Sequence, residues 1–156
     1  MDDLSLTALH DFIVRAKAAT YVGSGAHTES CRPASHDLRF EDGDWSYLDS
    51  YFGGADFIGE EVVWHDGRPV WAMNYYGCIL EPDLLTPAWA GQVIKSSLSQ
   101  LYTENRFLGG FQHSLEAFTY IDTNEGDVSR FTGLEWIERG GVRAYELVYH
   151  GGLIKD

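Results

Sequence analysis

The segment that decides the fold runs from Phe57 to Gly77 and reads FIGEEVVWHDGRPVWAMNYYG. Two runs rich in β-branched and aromatic residues flank Asp66-Gly67, a pair suited to a type I′ turn because both central positions of that turn need a positive φ. The segment therefore predicts a long antiparallel β-hairpin.

The same hairpin recurs 74 positions later without a gap. Six residues return unchanged: Phe57, Gly59, Glu61, Gly67, Tyr75 and Gly77 return as Phe131, Gly133, Glu135, Gly141, Tyr149 and Gly151. A shorter string upstream, Tyr47-Leu48-Asp49, is echoed by Tyr120-Ile121-Asp122 at an offset of 73. These matches indicate an internal duplication, with halves at about residues 4–77 and 88–151.

The spacing of apolar residues predicts a helix at the start of each half. Leu6, Leu9, Ile13 and Ala16 recur at intervals of three and four between Leu4 and about Thr20, with polar residues such as Lys17 placed elsewhere. A second helix follows Thr86-Pro87, which supplies an N-cap and then a proline at the first helical position, and it ends near Asn105.

Alternating segments that follow each helix supply about six to eight strands. We therefore predict one α+β domain over residues 1–156, built from internally duplicated helix-plus-antiparallel-hairpin units. Its two helices pack on one face of an antiparallel sheet.

Composition narrows the range of partners. The formal net charge of the 156 residues is -13, which argues against nucleic acid and anionic membranes, because both attract clustered Lys and Arg. No apolar run approaches the roughly 18 residues of a membrane span, and no basic leader precedes the first helix, so we expect a cytoplasmic protein. Cys31 and Cys78 are then expected to be reduced, although whether they interact stays open.

The long loop over residues 22–36 is the remaining feature of uncertain role. Its His27, Cys31 and His36 match no zinc spacing, so we expect neither a metal nor another cofactor. Loops of this length are usually functional or disordered.

Counting outward from the two turns divides each hairpin into two faces. The face predicted to carry the helices holds Ile58, Val62, Trp64, Trp71, Met73, Tyr75, Leu134, Trp136, Tyr145, Leu147 and Tyr149. On the opposite face Glu135 lies directly across from Glu146, and Glu61 lies across from the small Ala72. Like charges opposed on a sheet repel, so water, a shared proton, a neighbouring arginine or a cationic ligand must relieve the two glutamates.

The acids and aromatic rings of that opposite face form the predicted site. Its ligand-binding residues are Glu61, Asn74, Tyr76, Glu135, Glu146, His150, Phe57 and Phe131. We predict a module that binds a small molecule, cationic or aromatic, between carboxylates and rings. An enzyme that uses the Glu135–Glu146 pair as acid and base, a homodimeric interaction domain, and an ordinary solvated sheet face stay open as alternatives. No catalytic residue is assigned.

Several strings carry a family resemblance. They are Leu9-x-x-Phe12-Ile13-x-x-Ala16-Lys17-x-x-Thr20-Tyr21, Arg32-Pro33, Tyr47-x-Asp49-x-Tyr51-Phe52-Gly53, Phe57-x-Gly59-x-Glu61 and Trp71-x-Met73-Asn74-Tyr75-Tyr76-Gly77. Together they resemble a bacterial domain family of unknown function, in which some members follow a helix-turn-helix DNA-binding module. The architecture is also similar to gyrase-inhibitor-like effector-binding domains, and that similarity implies cationic organic ligands held near an acidic residue.

Overall fold

Residues 5–23 and 27–156, which the computed structural model describes, form two α-helices and nine β-strands. The helical elements are α1 (Leu6–Lys17), a π-helical turn (Ala18–Val22) and α2 (Pro87–Thr103). The strands are β1 (His27–Thr28), β2 (His36–Asp42), β3 (Trp45–Gly53), β4 (Phe57–His65), β5 (Arg68–Ile79), β6 (Phe111–Leu115), β7 (Phe118–Asp127), β8 (Arg130–Arg139) and β9 (Val142–Leu153). Each half runs from a helix into antiparallel strands, as the sequence predicts.

All the strands join one antiparallel sheet in the order β1-β2-β3-β4-β5-β9-β8-β7-β6. The last strand of each half, β5 or β9, lies at the centre, so the order of the first half is mirrored in the second. Tyr75 pairs with its own repeat equivalent, Tyr149. A pseudo-two-fold axis therefore passes between these two tyrosines and relates the halves.

Both helices begin at the caps that their sequences supply. The Ser5 hydroxyl accepts a hydrogen bond from the backbone N–H of Ala8 at the start of α1, and Thr86 accepts one from Trp89 at the start of α2. The predicted first residue of α1, Leu4, lies outside the described residues. Helix α1 contacts β3 and α2 contacts β6 and β7 on the same side of the sheet, which confirms the α+β architecture.

The core lies between the helices and this side of the sheet. Its largest fully buried side chains are Trp71, Tyr47, Tyr120, Tyr145, Phe12, Leu9, Ile13, Leu85, Leu101, Ile137, Val63 and Val93. Equivalent positions of the two halves recur in this set, for example Tyr47 with Tyr120 and Trp71 with Tyr145. The duplication therefore builds one shared core.

A β-bulge in the first long hairpin corrects its predicted register. The two-residue turn is present and Trp64 pairs with Pro69, but Val63 then pairs with Trp71. Val70 is thus an extra residue on β5. A bulge of this kind shifts one strand against the other by one position, so counting outward from the turn assigns the wrong face beyond it.

The second hairpin contains the equivalent bulge. Glu138 pairs with Arg143 and Ile137 pairs with Tyr145, so Ala144, the repeat equivalent of Val70, is the extra residue. The predicted oppositions of Glu135 to Glu146 and of Glu61 to Ala72 are therefore wrong. The observed cross-strand partners are Leu147 for Glu135 and Met73 for Glu61.

The bulges also correct which side chains lie beneath the helices. The inner face, which the helices cover, carries Phe57, Gly59, Glu61, Val63, Trp71, Met73, Tyr75, Phe131, Gly133, Glu135, Ile137, Tyr145, Leu147 and Tyr149. The predictions for β5 and β9 are thus right. Those for β4 and β8 are inverted: Ile58, for example, is 54% exposed on the outer face.

Candidate functional site

A cavity of about 310 Å³ lies between the helices and the inner face of the sheet. Four carboxylates line it, Asp49 and Glu61 from the first half and Asp122 and Glu135 from the second. The other charged or titratable side chains of its lining are Lys17, Tyr21, Tyr51, Tyr75, Lys95, Tyr102, Tyr120, Tyr145 and Tyr149. Apolar groups such as Phe57, Leu98 and Phe107 complete the wall.

The cavity reaches solvent between the β3–β4 connection and the first turns of α2. Its lining residues Gly54 and Ala55 in that connection are exposed, as are Pro87 and Lys95 on α2. The carboxylates, in contrast, are each at most 7% exposed. A ligand entering from this side would meet the acidic groups at the bottom of the cavity.

In the first half, an aspartate and a glutamate oppose each other across neighbouring strands. Asp49 on β3 is the cross-strand partner of Glu61 on β4. Lys17 from α1 balances them: its Nζ donates to Glu61 Oε2 at 2.5 Å, and its side chain is only 6% exposed. The first acidic pair thus contains a built-in ammonium group.

The second half repeats the acidic pair without an ammonium. Asp122 on β7 is the cross-strand partner of Glu135 on β8. The Tyr120 hydroxyl donates to Glu135 Oε2, and the Tyr145 hydroxyl donates to Glu135 Oε1 at 2.9 Å. Within the described part of the chain, neither carboxylate of this pair forms an ion pair with Lys, Arg or His.

A tyrosine anchors the aspartate of each pair, and a glycine makes room for it. The Tyr75 hydroxyl donates to Asp49 Oδ1 at 2.6 Å, and the Tyr149 hydroxyl donates to Asp122 Oδ1 at 2.8 Å. A Cβ atom at Gly133 would lie 1.9 Å from Cζ of Tyr149. Gly133 is therefore required for the tyrosine ring to lie flat across the strand and reach Asp122.

Burial makes three of the four carboxyls hard to ionise. Desolvation, reinforced by the nearby charge of Glu61, raises the pKa of Asp49 to about 7. Desolvation raises the pKa of Glu135 to about 7, even though its tyrosine hydrogen bonds and the charge of Lys17 favour the ionised form. The pKa of Asp122 is raised to about 6 by the same cause, which the hydrogen bonds from Tyr149 and Asn124 and then the charge of Arg106 partly offset.

The structure divides the predicted site residues between two surfaces. Glu61, Glu135 and Phe57 lie beneath the helices and line the cavity, and Phe131 lies next to it, stacked on Trp71. Asn74, Tyr76, Glu146 and His150 lie on the outer face instead. The two sets do not meet, so the predicted location on the face away from the helices is wrong, and the role of each residue in binding stays a prediction.

The outer face has its own apolar row. Ile58 pairs with Tyr76, Tyr76 with Val148 and Val148 with Leu134, across four strands. Ile58, Tyr76 and Val148 are each about half exposed. An aromatic sheet face predicts a homodimer, and this apolar row is where such an interface would lie. The homodimer stays a prediction.

Sequence reasoning missed Lys17, Asp49 and Asp122 as members of the site. The predicted apolar stripe of α1 leaves Lys17 among the polar residues, yet Lys17 follows Ile13 by four residues and therefore lies on the same helix face. The echo of Tyr47-Leu48-Asp49 in Tyr120-Ile121-Asp122 was the available signal for the two aspartates. Only the strand pairing places these two aspartates opposite Glu61 and Glu135.

The loop after α1 is organised around an aspartate. Asp37 accepts hydrogen bonds from the backbone N–H of Cys31 and from the hydroxyls of Ser35 and Ser50. These bonds outweigh burial and lower its pKa to about 2. Cys31 and Cys78 are free thiols. No group of three His, Cys, Asp or Glu side chains within residues 5–23 and 27–156 is placed to hold a metal ion.

The fold and cavity define a class: an internally duplicated α+β domain whose carboxylate pairs face a cavity covered by two helices. DUF5680, a domain of unknown function, matches residues 49–154, which is more than half of the chain, so the chain belongs to that family. The matched region contains both carboxylate pairs and α2. No curated protein and no solved structure matches the chain. The expected links to helix-turn-helix regulators and to gyrase-inhibitor-like domains stay predictions.

Within the described ranges, neither α1 nor α2 is both long and apolar enough to cross a membrane.

Proposed function

We propose that the chain is a binding module for a small organic cation, which occupies the cavity between the helices and the sheet. The observation that carries this proposal is the charge imbalance of the cavity: four buried carboxylates face one buried ammonium, that of Lys17. An isolated charge buried in an apolar surrounding is costly unless it is paired. A ligand that brings positive charge would remove this cost in the second half.

The walls of the cavity suit the body of such a ligand. Tyr21, Tyr51, Phe57, Tyr102 and Phe107 contribute rings to the lining. Aromatic faces attract cations and provide apolar contact for the rest of the molecule. The volume of about 310 Å³ is at the small end of the range for ligand pockets, so we expect a small metabolite.

A thermal-shift screen of amines and aromatic cations, each with a neutral analogue of the same shape, tests the proposal. A ligand present at about 100 times its dissociation constant adds about 2.7 kcal/mol to the free energy of unfolding. Cations should raise the melting temperature and their neutral analogues should not. If no cation of the panel does so, the proposal is wrong.

Two matched variants locate the site. Glu135→Gln removes a cavity carboxylate and should abolish the shift, because the ligand loses its charged partner. Glu146→Gln removes a carboxylate from the outer face and should leave the shift unchanged. The opposite pattern would move binding to the outer face and contradict a site beneath the helices.

A second candidate, an acid–base enzyme, is favoured by the raised pKa values of Asp122 and Glu135. Buried carboxyls that titrate near neutral pH can donate and accept protons during a reaction. Mass spectrometry of a metabolite mixture before and after incubation tests this candidate. Conversion by the wild-type protein that Asp122→Asn and Glu135→Gln both abolish would support an enzyme, and no conversion would argue for binding alone.

A further inference from the structure

Lys17 shows how this fold holds an ammonium group. Its Nζ lies 2.5 Å from Glu61 Oε2, 3.8 Å from the Met73 sulfur and 5.5 Å from the centre of the Phe107 ring. A carboxylate, a polarisable sulfur and an aromatic face thus surround the charge. The alkyl part of the lysine reaches this position from α1 through the core.

The second half contains a helix position equivalent to Lys17, but the residue at that position carries no ammonium group. Aligning the helices through Tyr21 and Tyr102, both of which line the cavity, places Leu98 at the position of Lys17. The alignment also superimposes the buried positions of the helices: Leu9, Phe12, Ile13, Ala16 and Thr20 coincide with Ala90, Val93, Ile94, Ser97 and Leu101. Leu98 is half-buried and lines the same cavity.

We propose that the ligand carries a primary ammonium group that sits on the Asp122–Glu135 pair as the Lys17 ammonium sits on the Asp49–Glu61 pair. This inference rests on the proposed function and adds the head group of the ligand and its position. The alkyl or aromatic remainder extends from the pair along the aromatic wall toward the opening beside Lys95.

Hydrogen bonding favours a primary ammonium over a quaternary one. Each carboxylate oxygen has two lone pairs, and the tyrosines use only one on each oxygen that they contact. Asp122 Oδ2 receives only the 3.5 Å contact from Asn124. Three ammonium N–H donors can fill the remaining lone pairs with short charge-assisted bonds, whereas a trimethylammonium group has no donor.

Three probes with the same tail test the head group at pH 8, where the acidic pair is ionised. They are hexylamine, hexyltrimethylammonium and hexanol, each titrated into the full chain by calorimetry. Hexylamine should bind at least about tenfold more tightly than either of the others, which corresponds to about 1.4 kcal/mol. Equal binding of hexylamine and hexyltrimethylammonium would overturn the inference and leave the proposed function standing. If neither of the two cations nor hexanol binds, the result would count against both the inference and the proposed function.

A pair of variants at Leu98 tests the proposed position of the ligand's ammonium group. Leu98→Lys copies Lys17 into the second half and should supply the ammonium internally, so hexylamine affinity falls by at least about tenfold. Leu98→Met has a similar length without charge and should bind as the wild type does. Should both variants bind hexylamine equally well, the proposed position is wrong.

Glu135→Gln keeps the test decisive if Leu98→Lys does not fold. The proposal expects this variant to lose hexylamine affinity by at least about tenfold, while Glu61→Gln, on the pair that Lys17 already occupies, loses less. A larger loss in Glu61→Gln would place the head group in the first half and overturn the inference.

Discussion

The two acidic pairs share one backbone design but are neutralised in different ways. In both, an aspartate opposes a glutamate across the strands and accepts a hydrogen bond from a tyrosine. The first pair has the Lys17 ammonium, whereas the second has the hydroxyls of Tyr120 and Tyr145 and no ammonium. The difference comes from two positions: a helix position that is Lys17 in α1 and Leu98 in α2, and a strand position that is Trp71 in β5 and Tyr145 in β9.

This difference shows which parts of the site the duplication fixes and which it leaves free to change. The strands, the glycines and the tyrosine anchors recur in both halves. The counter-charge comes from the helices, which the sheet does not constrain in the same way. The first pair is therefore neutralised by a side chain of the protein, and the second keeps two carboxyl groups facing a cavity without an ion-pair partner.

The largest expected effect comes from removing the internal ammonium. Lys17→Met should lower the free energy of unfolding by about 3–5 kcal/mol, because Glu61 would be left as a buried charge without a partner. Denaturant-induced unfolding of the wild type and of Lys17→Met measures this loss of stability. The double variant Lys17→Met with Glu61→Gln should recover most of the loss. If the single and double variants are equally unstable, Lys17 acts through packing and the comparison of the two pairs fails.

The second pair should make stability depend on pH. Glu135 keeps its proton up to about pH 7 in the folded chain, whereas its ordinary pKa is 4.5. Between these values the unfolded chain binds fewer protons, so the free energy of unfolding falls as the pH rises and levels off above pH 7. The contribution of Glu135 to this fall is about 3 kcal/mol.

Unfolding curves between pH 4.5 and 8 check this dependence. Glu135→Gln should make the fall about 3 kcal/mol smaller, because Asp49 and Asp122 keep their raised pKa values. Glu60→Gln, which changes an exposed carboxylate, should follow the wild type. A wild-type stability that rises over this range would mean that the cavity carboxyls ionise easily and are already neutralised by other groups.

A smaller effect is expected from the glycine beneath the second tyrosine anchor. Gly133→Ala should cost about 1–3 kcal/mol, because the added Cβ would lie 1.9 Å from the Tyr149 ring and push its hydroxyl away from Asp122. Gly54→Ala, where nothing lies within 4 Å, is the matched control. Comparable stability of the two variants would show that the Tyr149 ring has room to move.

The sequence alone predicted the duplication, both helices and the hairpins, because these depend on local periodicity and turn chemistry. It misassigned β4 and β8 because the extra residues Val70 and Ala144 have no distinctive sequence signal. A bulge is defined by pairing, which a single strand does not reveal. The sequence predicts the cavity acids Glu61 and Glu135 as ligand-binding residues but does not predict Lys17, whose partner Glu61 is 44 positions away in the chain.

The pKa of the Glu135 carboxyl, measured by NMR titration of the wild-type protein, tests the central claim most directly. Burial of Glu135 predicts a value of about 7, and a fall when Leu98→Lys supplies an ammonium. A wild-type value near the ordinary 4.5 would show that Glu135 is already neutralised or hydrated, and it would contradict the account.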